Sequence, residues 1–431
     1  MKMFLSAWQW MGFILASSLV APIAIANLFG FSPAETSDFV QRTMFVLGIS
    51  GLLQALIGHR LPINEGPAGL WWGVFAIYAG FAGTIYSSST EALQSLQGGM
   101  LVSGVIFIIL AGFGLLQKLA GLFTPTITFV YLLLLILQLS GSFMRGMLGL
   151  PNDTGTVILP VMGGSLVTLL AAYYFSMHRL GWVRQYSVII SLLFGWLLFI
   201  MIGQTPAIPS SGGIWFQLPA LFVFGPPIFD LGTVVTAAFI TLLLTANMIA
   251  SIRVMEEVVK LVTGSEKNSS YRAAGVVTGV NQMLAGSLSA IGSVPISGSA
   301  GFVAQTKIAS IAPFIGGSVL VIVLSVCPPA MNILASLPAP VGYAVTFVIF
   351  SRMVGLAFSE LDKEKNIERS RLVAGVSLLA GVGVMFVPAE AYRDLPVVMT
   401  SLFNNGLIFG TLIAILVEQF SLHFGRNKQE Y

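Results

Sequence analysis

The chain has 431 residues, of which 56% are hydrophobic and only 9% charged, and its mean hydropathy is +0.91. A soluble protein carries about 25% charged residues, so a soluble globular enzyme is excluded as a starting point. The net charge of +3 is scattered over short loops rather than gathered into the stripe that nucleic acid needs, so no nucleic-acid partner is expected.

What remains is an all-α polytopic membrane protein. One span takes about 20 apolar residues, so this length with short loops has room for about 14. In chain order the expected spans are Met3–Gly30, Ser37–Ile57, Gly66–Tyr86, Leu96–Leu116, Thr124–Met144, Thr156–Met177 and Trp182–Ile202. After a long loop without Lys or Arg, Gln204 to Pro227, come Leu231–Ile252, Ala273–Ile291, Ser297–Ile311, Phe314–Leu334, Val341–Phe358, Leu372–Val387 and Val397–Val417. Ala24-Ile25-Ala26 looks like a leader-cleavage site, but the run around it is long enough to span and more membrane helix follows, so it reads as the first span.

Charge sorts the loops. With the N-terminus in the cytoplasm, all but Arg42, Arg145 and Arg393 of the 20 Lys and Arg fall on the cytoplasmic side. An even number of spans with both termini inside follows. The charge-rich segments Arg253–Arg272 and Glu360–Arg371 read as solvated cytoplasmic loops with a helical turn. The single Cys327, beside Pro328-Pro329, reads as a buried structural thiol.

Two extended stretches share a pattern. Leu61-Pro62-Ile63-Asn64-Glu65-Gly66-Pro67-Ala68-Gly69 and Val294-Pro295-Ile296-Ser297-Gly298-Ser299-Ala300-Gly301 both reduce to Pro-Ile-polar followed by Gly-x-Ala-Gly. One enters from the inside and the other from the outside, as inverted copies would, and interrupted spans in inverted repeats mark secondary transporters. Non-helical backbone at membrane depth is tolerated only where protein or a water-filled cavity satisfies its amides. Each stretch is expected to open a half-helix, near Gly66 and near Gly298, whose first-turn N–H groups face the bilayer centre and form a polar site. Tight packing of small residues is the plain alternative.

Glu65 is the only carboxylate beside either stretch, and an ionisable group at that depth is expensive enough to suggest function. It is expected to accept hydrogen bonds from a ligand or to carry a coupling proton; pairing with Arg60 at the membrane edge is the alternative. Gln9 fits ligand contact or interhelical bonding equally. Asn247 and Asn281-Gln282 suit hydrogen bonding between helices, Asp230 suits a helix N-cap, and Trp71 and Trp72 suit stacking on a planar ligand or ordinary aromatic packing. No metal-ligand spacing, no ATP-binding loop and no nucleophile–base pairing is present in the sequence, so no cofactor is expected and transport would draw on an ion gradient.

Gly298 through Lys307 resembles the signature of the nucleobase–ascorbate transporter (xanthine/uracil permease) family: Gly301, Thr306 and Lys307 match, whereas Gly298 and Ser299 depart from its usual Gln/Glu/Pro and Asn. Gln9-Trp10 sits where the family often has Gln-His. Gly58 to Gly66 is similar to its Gly-x-Arg-Leu-Pro entry to the third span, and Leu337 to Gly342 to its lead into the twelfth. The resemblance implies 14 spans in two inverted repeats of seven, with interrupted third and tenth spans. It implies a core domain over 1–122 and 228–336, a gate domain over 123–204 and 337–420, and a cytoplasmic tail over 421–431. It further implies a planar purine or pyrimidine base such as xanthine, uric acid or uracil, symport with H⁺ in preference to Na⁺, a cell-membrane location and often a homodimer.

Members commonly bind the base through a glutamate on the eighth span and a Glu or Gln opening the signature; here Asn247 and Gly298 stand there. Glu65 is therefore the expected substitute carboxylate. The expected substrate-binding set is Gln9, Glu65, Gly66, Ala68, Trp71, Asn247, Gly298, Ser299, Ala300 and Gly301. A small-anion transporter on the same fold is the main alternative, and a passive channel or intramembrane enzyme a more distant one.

Overall fold

The structure, a computed structural model, describes residues 2–121, 124–150, 155–210, 212–388, 391, 399, 403 and 405–427. The first half runs α1 (Lys2–Ser18), α2 (Val20–Leu28), α3 (Pro33–Leu56), β1 (Glu65–Pro67), α4 (Gly69–Phe81) and α5 (Ser89–Gly112). It continues through α6 (Leu116–Ala120), α7 (Pro125–Leu148), α8 (Leu159–Ser176), α9 (Gly181–Gln185) and α10 (Ser187–Met201). The second half comprises α11 (Leu231–Thr263), α12 (Tyr271–Ser287), β2 (Ser293–Pro295), α13 (Gly298–Thr306), α14 (Ile311–Ser325), α15 (Pro328–Ala335), α16 (Ala339–Leu361), α17 (Ile367–Met385) and α18 (Gly406–Asn427). The expected last span begins outside the described residues, as do Arg393 and the end of the tail from 428.

Seven helices of the described residues are long and apolar enough to cross a membrane. Their ends carry local signals. Ser32 caps α3 through a reciprocal box with Glu35, with Pro33 at the first helical position. Asp230 caps α11 as its sequence position suggested, accepting from the Thr233 N–H at 2.8 Å and from the Tyr86 hydroxyl at 3.1 Å. α7 ends at Gly149 and α11 at Gly264, both in left-handed conformation.

The helices pack in several close pairs, and α2 on α16 and α4 on α7 join them to one another. α5 lies on α12, α1 on α14 and α3 on α14; α7 lies on α16, α17 on α18 and α8 on α10. Between α5 and α12 the backbones approach closely at Gly104 and Gly279, the small-residue contact that replaces hydrophobic driving force in lipid.

Several expectations need correction. The first half-helix starts at Gly69, not Gly66, because Glu65–Pro67 is held as a strand. The tenth span is a helix of only 9 residues, and the eleventh breaks by 93° between α14 and α15, at Cys327-Pro328. Cys327 is half-buried rather than buried. Arg253 to Lys260 is not loop but the last turns of α11, because Ile252, Met255 and Val259 form a buried stripe at helical spacing.

Candidate functional site

The two Pro-Ile stretches meet. β1 and β2 pair antiparallel, Glu65 opposite Pro295, Gly66 opposite Val294 and Pro67 opposite Ser293, so 230 residues of sequence separation close into one short ribbon. The ribbon is sewn in by its neighbours. Ile296 N–H donates to the Asn64 carbonyl at 2.9 Å, Ala68 N–H to the Gly292 carbonyl at 2.9 Å, and Ser251 of α11 donates its hydroxyl to the Pro295 carbonyl at 2.9 Å. Backbone amides that could not face lipid are thereby satisfied within the protein. Gly66 is needed for this contact, since a Cβ there would overlap the Ile296 side chain.

Glu65 sits on this ribbon with its side chain fully buried, and neither carboxyl oxygen has a hydrogen-bond partner among the described residues. Alternation along the strands places Ser293, diagonally across, on the same face as Glu65. Glu65 does not pair with Arg60. His59 Nε2, equally buried, stands 3.8 Å from its Oε1. The turn that aims His59 is tight: Arg60 takes a left-handed conformation, φ 57°, its N–H donates to the Gln54 carbonyl, and the His59 N–H donates to Gln54 Oε1.

Ser299 is fully buried and its hydroxyl accepts from the Asn64 N–H at 2.9 Å, while Asn64 Nδ2 donates to Ser17 of α1 at 2.9 Å. Ser299 therefore fastens α13 to the first stretch and keeps one O–H to offer. The first-turn amides of α13 are largely spoken for, Ser299 N–H by the Ile296 carbonyl and Ala300 N–H by the Ser297 carbonyl, which corrects the expectation of an open amide turn there. Ala300 is buried, but Gly298 and Gly301 are exposed, and a Cβ on Gly301 would meet open space. A flat ligand can approach that backbone closely. Thr306 and Lys307 end the helix: the Thr306 hydroxyl donates to the Phe302 carbonyl at 2.7 Å and Lys307 takes φ 60°.

Asn247 is half-buried on α11, one turn before Ser251, and so on the face that meets β2. Gln9 is half-buried on α1; its neighbour Trp10 is buried against Phe302 and Phe314, with ring centroids at 4.6 and 5.0 Å. The two tryptophans do not stand free to cover a ligand. Trp71 is fully buried and donates Nε1–H to Gln282 Oε1 at 2.8 Å, and Trp72 packs edge-on against Phe143 and Phe350. Gln282 also donates to the Ser293 carbonyl at 2.6 Å, whereas Asn281, beside it and equally buried, has no partner for either amide atom among the described residues. Replacing Gln282 with Leu is therefore expected to lower the melting temperature of the purified protein, since a buried polar group left unpaired costs ~1–3 kcal/mol and two would be. Unchanged melting would show that the Trp71–Gln282–Ser293 chain holds nothing.

Sequence reasoning missed His59. The signal was present in the pair Gly58-His59 directly before the interrupted stretch. A cavity of about 450 Å³ opens beside it, lined by His59, Arg60 and Leu61 on one side and Lys267, Ser269 and Ser270 on the other. It is large enough for a small planar ligand.

Apolar helices of spanning length around a buried, interrupted ribbon define a polytopic membrane protein of transporter type. A family model described as "Permease family" (Xan_ur_permease) matches residues 1–390, and the chain belongs to that family. It is 46% identical over 425 residues to "Putative purine permease YwdJ" of Bacillus subtilis (strain 168), covering 98% of this chain and 96% of that one. It is 22% identical over 419 residues to "Uric acid permease PucK" of the same organism, covering 94% and 92%. Among solved structures it resembles the transmembrane domain of the cyanobacterial bicarbonate transporter BicA, with TM-score 0.64 at 14% identity over 96% of both chains, a likeness of fold.

Proposed function

We propose that this permease is a secondary active importer of a purine or pyrimidine base, with a purine favoured by its relatives, coupled to the proton gradient of a cell membrane. The observation that carries the reading is the buried β1–β2 ribbon with Glu65 on it, in a chain of this family. Bases present N–H donors and carbonyl acceptors along a flat edge, and a protonated carboxyl in a dry setting accepts from the first and donates to the second. Glu65 takes up a proton outside, loads with the base and releases both inside. Gly298 and Gly301 let the ring approach α13, and Asn247 and Gln9 supply neutral hydrogen bonds at the margin.

The reading includes 14 spans in two inverted repeats of seven with both termini in the cytoplasm. In support, β1 and β2 run antiparallel and each leads into a short helix, α4 and α13. It also includes a core formed by 1–122 and 228–336 moving against a gate formed by 123–204 and 337–420, in a homodimer. The packing of α5 with α12 and of α7 with α16 supports that division.

Competition decides the substrate. Uptake of labelled hypoxanthine into cells making the protein is expected to saturate and to be displaced by xanthine, uric acid or another base, with sulfate and bicarbonate without effect. Displacement by the anions alone would transfer the protein to the anion-transporting reading of this fold.

A further inference from the structure

We propose that His59 is the internal partner of Glu65 in the empty carrier, a neutral donor that holds the carboxylate until a base displaces it. The inference rests on the reading of Glu65 as the coupling group. His59 Nδ1 accepts the Leu61 N–H at 3.0 Å, so the neutral imidazole carries its proton on Nε2. Among the described residues that Nε2 has no hydrogen-bond partner, and it stands 3.8 Å from Glu65 Oε1, which also has none. The gap is roughly 0.6 Å beyond the N–H···O range, within reach of a small side-chain rotation.

The charged groups lining the cavity beside His59 are Arg60, adjacent in the chain, and Lys267 across it; Ser270, the N-cap of α12, and Ala273 of α12 line it too, and β2 places Ser293 on the face of Glu65. His59 both borders the cavity and approaches the carboxyl, so a ligand entering from that side can take its place. A substrate N–H then does for Glu65 what the imidazole N–H does in its absence. The buried carboxylate is never without a donor during the return of the empty carrier, when an unpaired charge would be most costly. His59 is thus a positioning residue, acting on substrate through Glu65.

The test is the pH profile of base uptake in the full-length protein. A donor removed from a carboxylate favours its protonated form, so in His59→Leu the pH at which uptake falls to half is expected to rise by about one unit. In His59→Gln, whose amide nitrogen takes the place of Nε2, the wild-type midpoint is expected to return. If His59→Leu does not insert, His59→Asn, too short to reach Glu65, takes its place in the comparison with His59→Gln. Wild-type midpoints in all variants, or equal shifts in Gln and Leu, would overturn the proposal. Glu65→Gln separates the two levels: if its uptake keeps the wild-type pH dependence, the coupling role of Glu65 fails; if that dependence vanishes while His59→Leu leaves the midpoint alone, only the His59 inference fails.

Discussion

Glu65→Gln is expected to reduce proton-driven base uptake at least about 10-fold, a loss of roughly 1.4 kcal/mol in the transport barrier, and to remove its dependence on the pH gradient. The amide matches the carboxyl in shape and fits the same space on the ribbon, so protein levels should hold or rise: a buried ionisable group without a hydrogen-bond partner among the described residues is replaced by a neutral one. Residual uptake, if any, should be exchange of one base for another, insensitive to a protonophore. Counterflow measured in vesicles distinguishes the two modes. A Gln variant that concentrates base against a gradient as wild type does would remove Glu65 from coupling altogether.

The second large effect is structural. Gly279→Val should sharply reduce the folded, monodisperse fraction recovered in detergent. A Cβ at Gly279 would stand 2.6 Å from the Gly104 carbonyl of α5, and one at Gly104 would stand 2.6 Å from the Gly279 carbonyl. The obstruction is backbone on both sides, so no rotamer change relieves it, and the helices must separate. Overpacking of this kind costs ~1–3 kcal/mol or more, and α12 also carries Gln282, which ties Trp71 to β2. Gly375→Ala, where a Cβ meets nothing within 4 Å, is the matched control and should behave as wild type. Equal recovery of both variants would mean that α5 and α12 do not pack as described.

Much of the helical framework is legible in the sequence because lipid imposes a simple rule: long apolar runs become helices. The two Pro-Ile stretches also announce themselves, since Pro and clustered Gly interrupt runs that are otherwise continuous. Their pairing as strands is less accessible, because it joins segments from opposite halves and depends on hydrogen bonds such as Ile296 to Asn64 that have no local sequence signature. The same holds for Gly66, which reads as a helix start by composition but is held extended by its partner Val294.

Where charge and burial conflict, composition misleads. Arg253, Glu256, Glu257 and Lys260 suggest a loop, yet the helix continues because Met255 and Val259 stay buried beneath them. Trp71 looks like a ligand cover from its type and position, yet its indole N–H finds Gln282 on another helix. His59 is missed for the opposite reason: alone it is an ordinary residue at a span end, and only the left-handed turn at Arg60 and the Leu61 amide aim it at Glu65.

The most direct measurement is uptake of labelled purine by the purified protein in proteoliposomes, with an imposed inward proton gradient and then with that gradient collapsed. The account predicts saturable accumulation of a base above its external concentration that disappears with the gradient and is absent in Glu65→Gln. Gradient-independent equilibration of the base, or accumulation of sulfate or bicarbonate in its place, would contradict it.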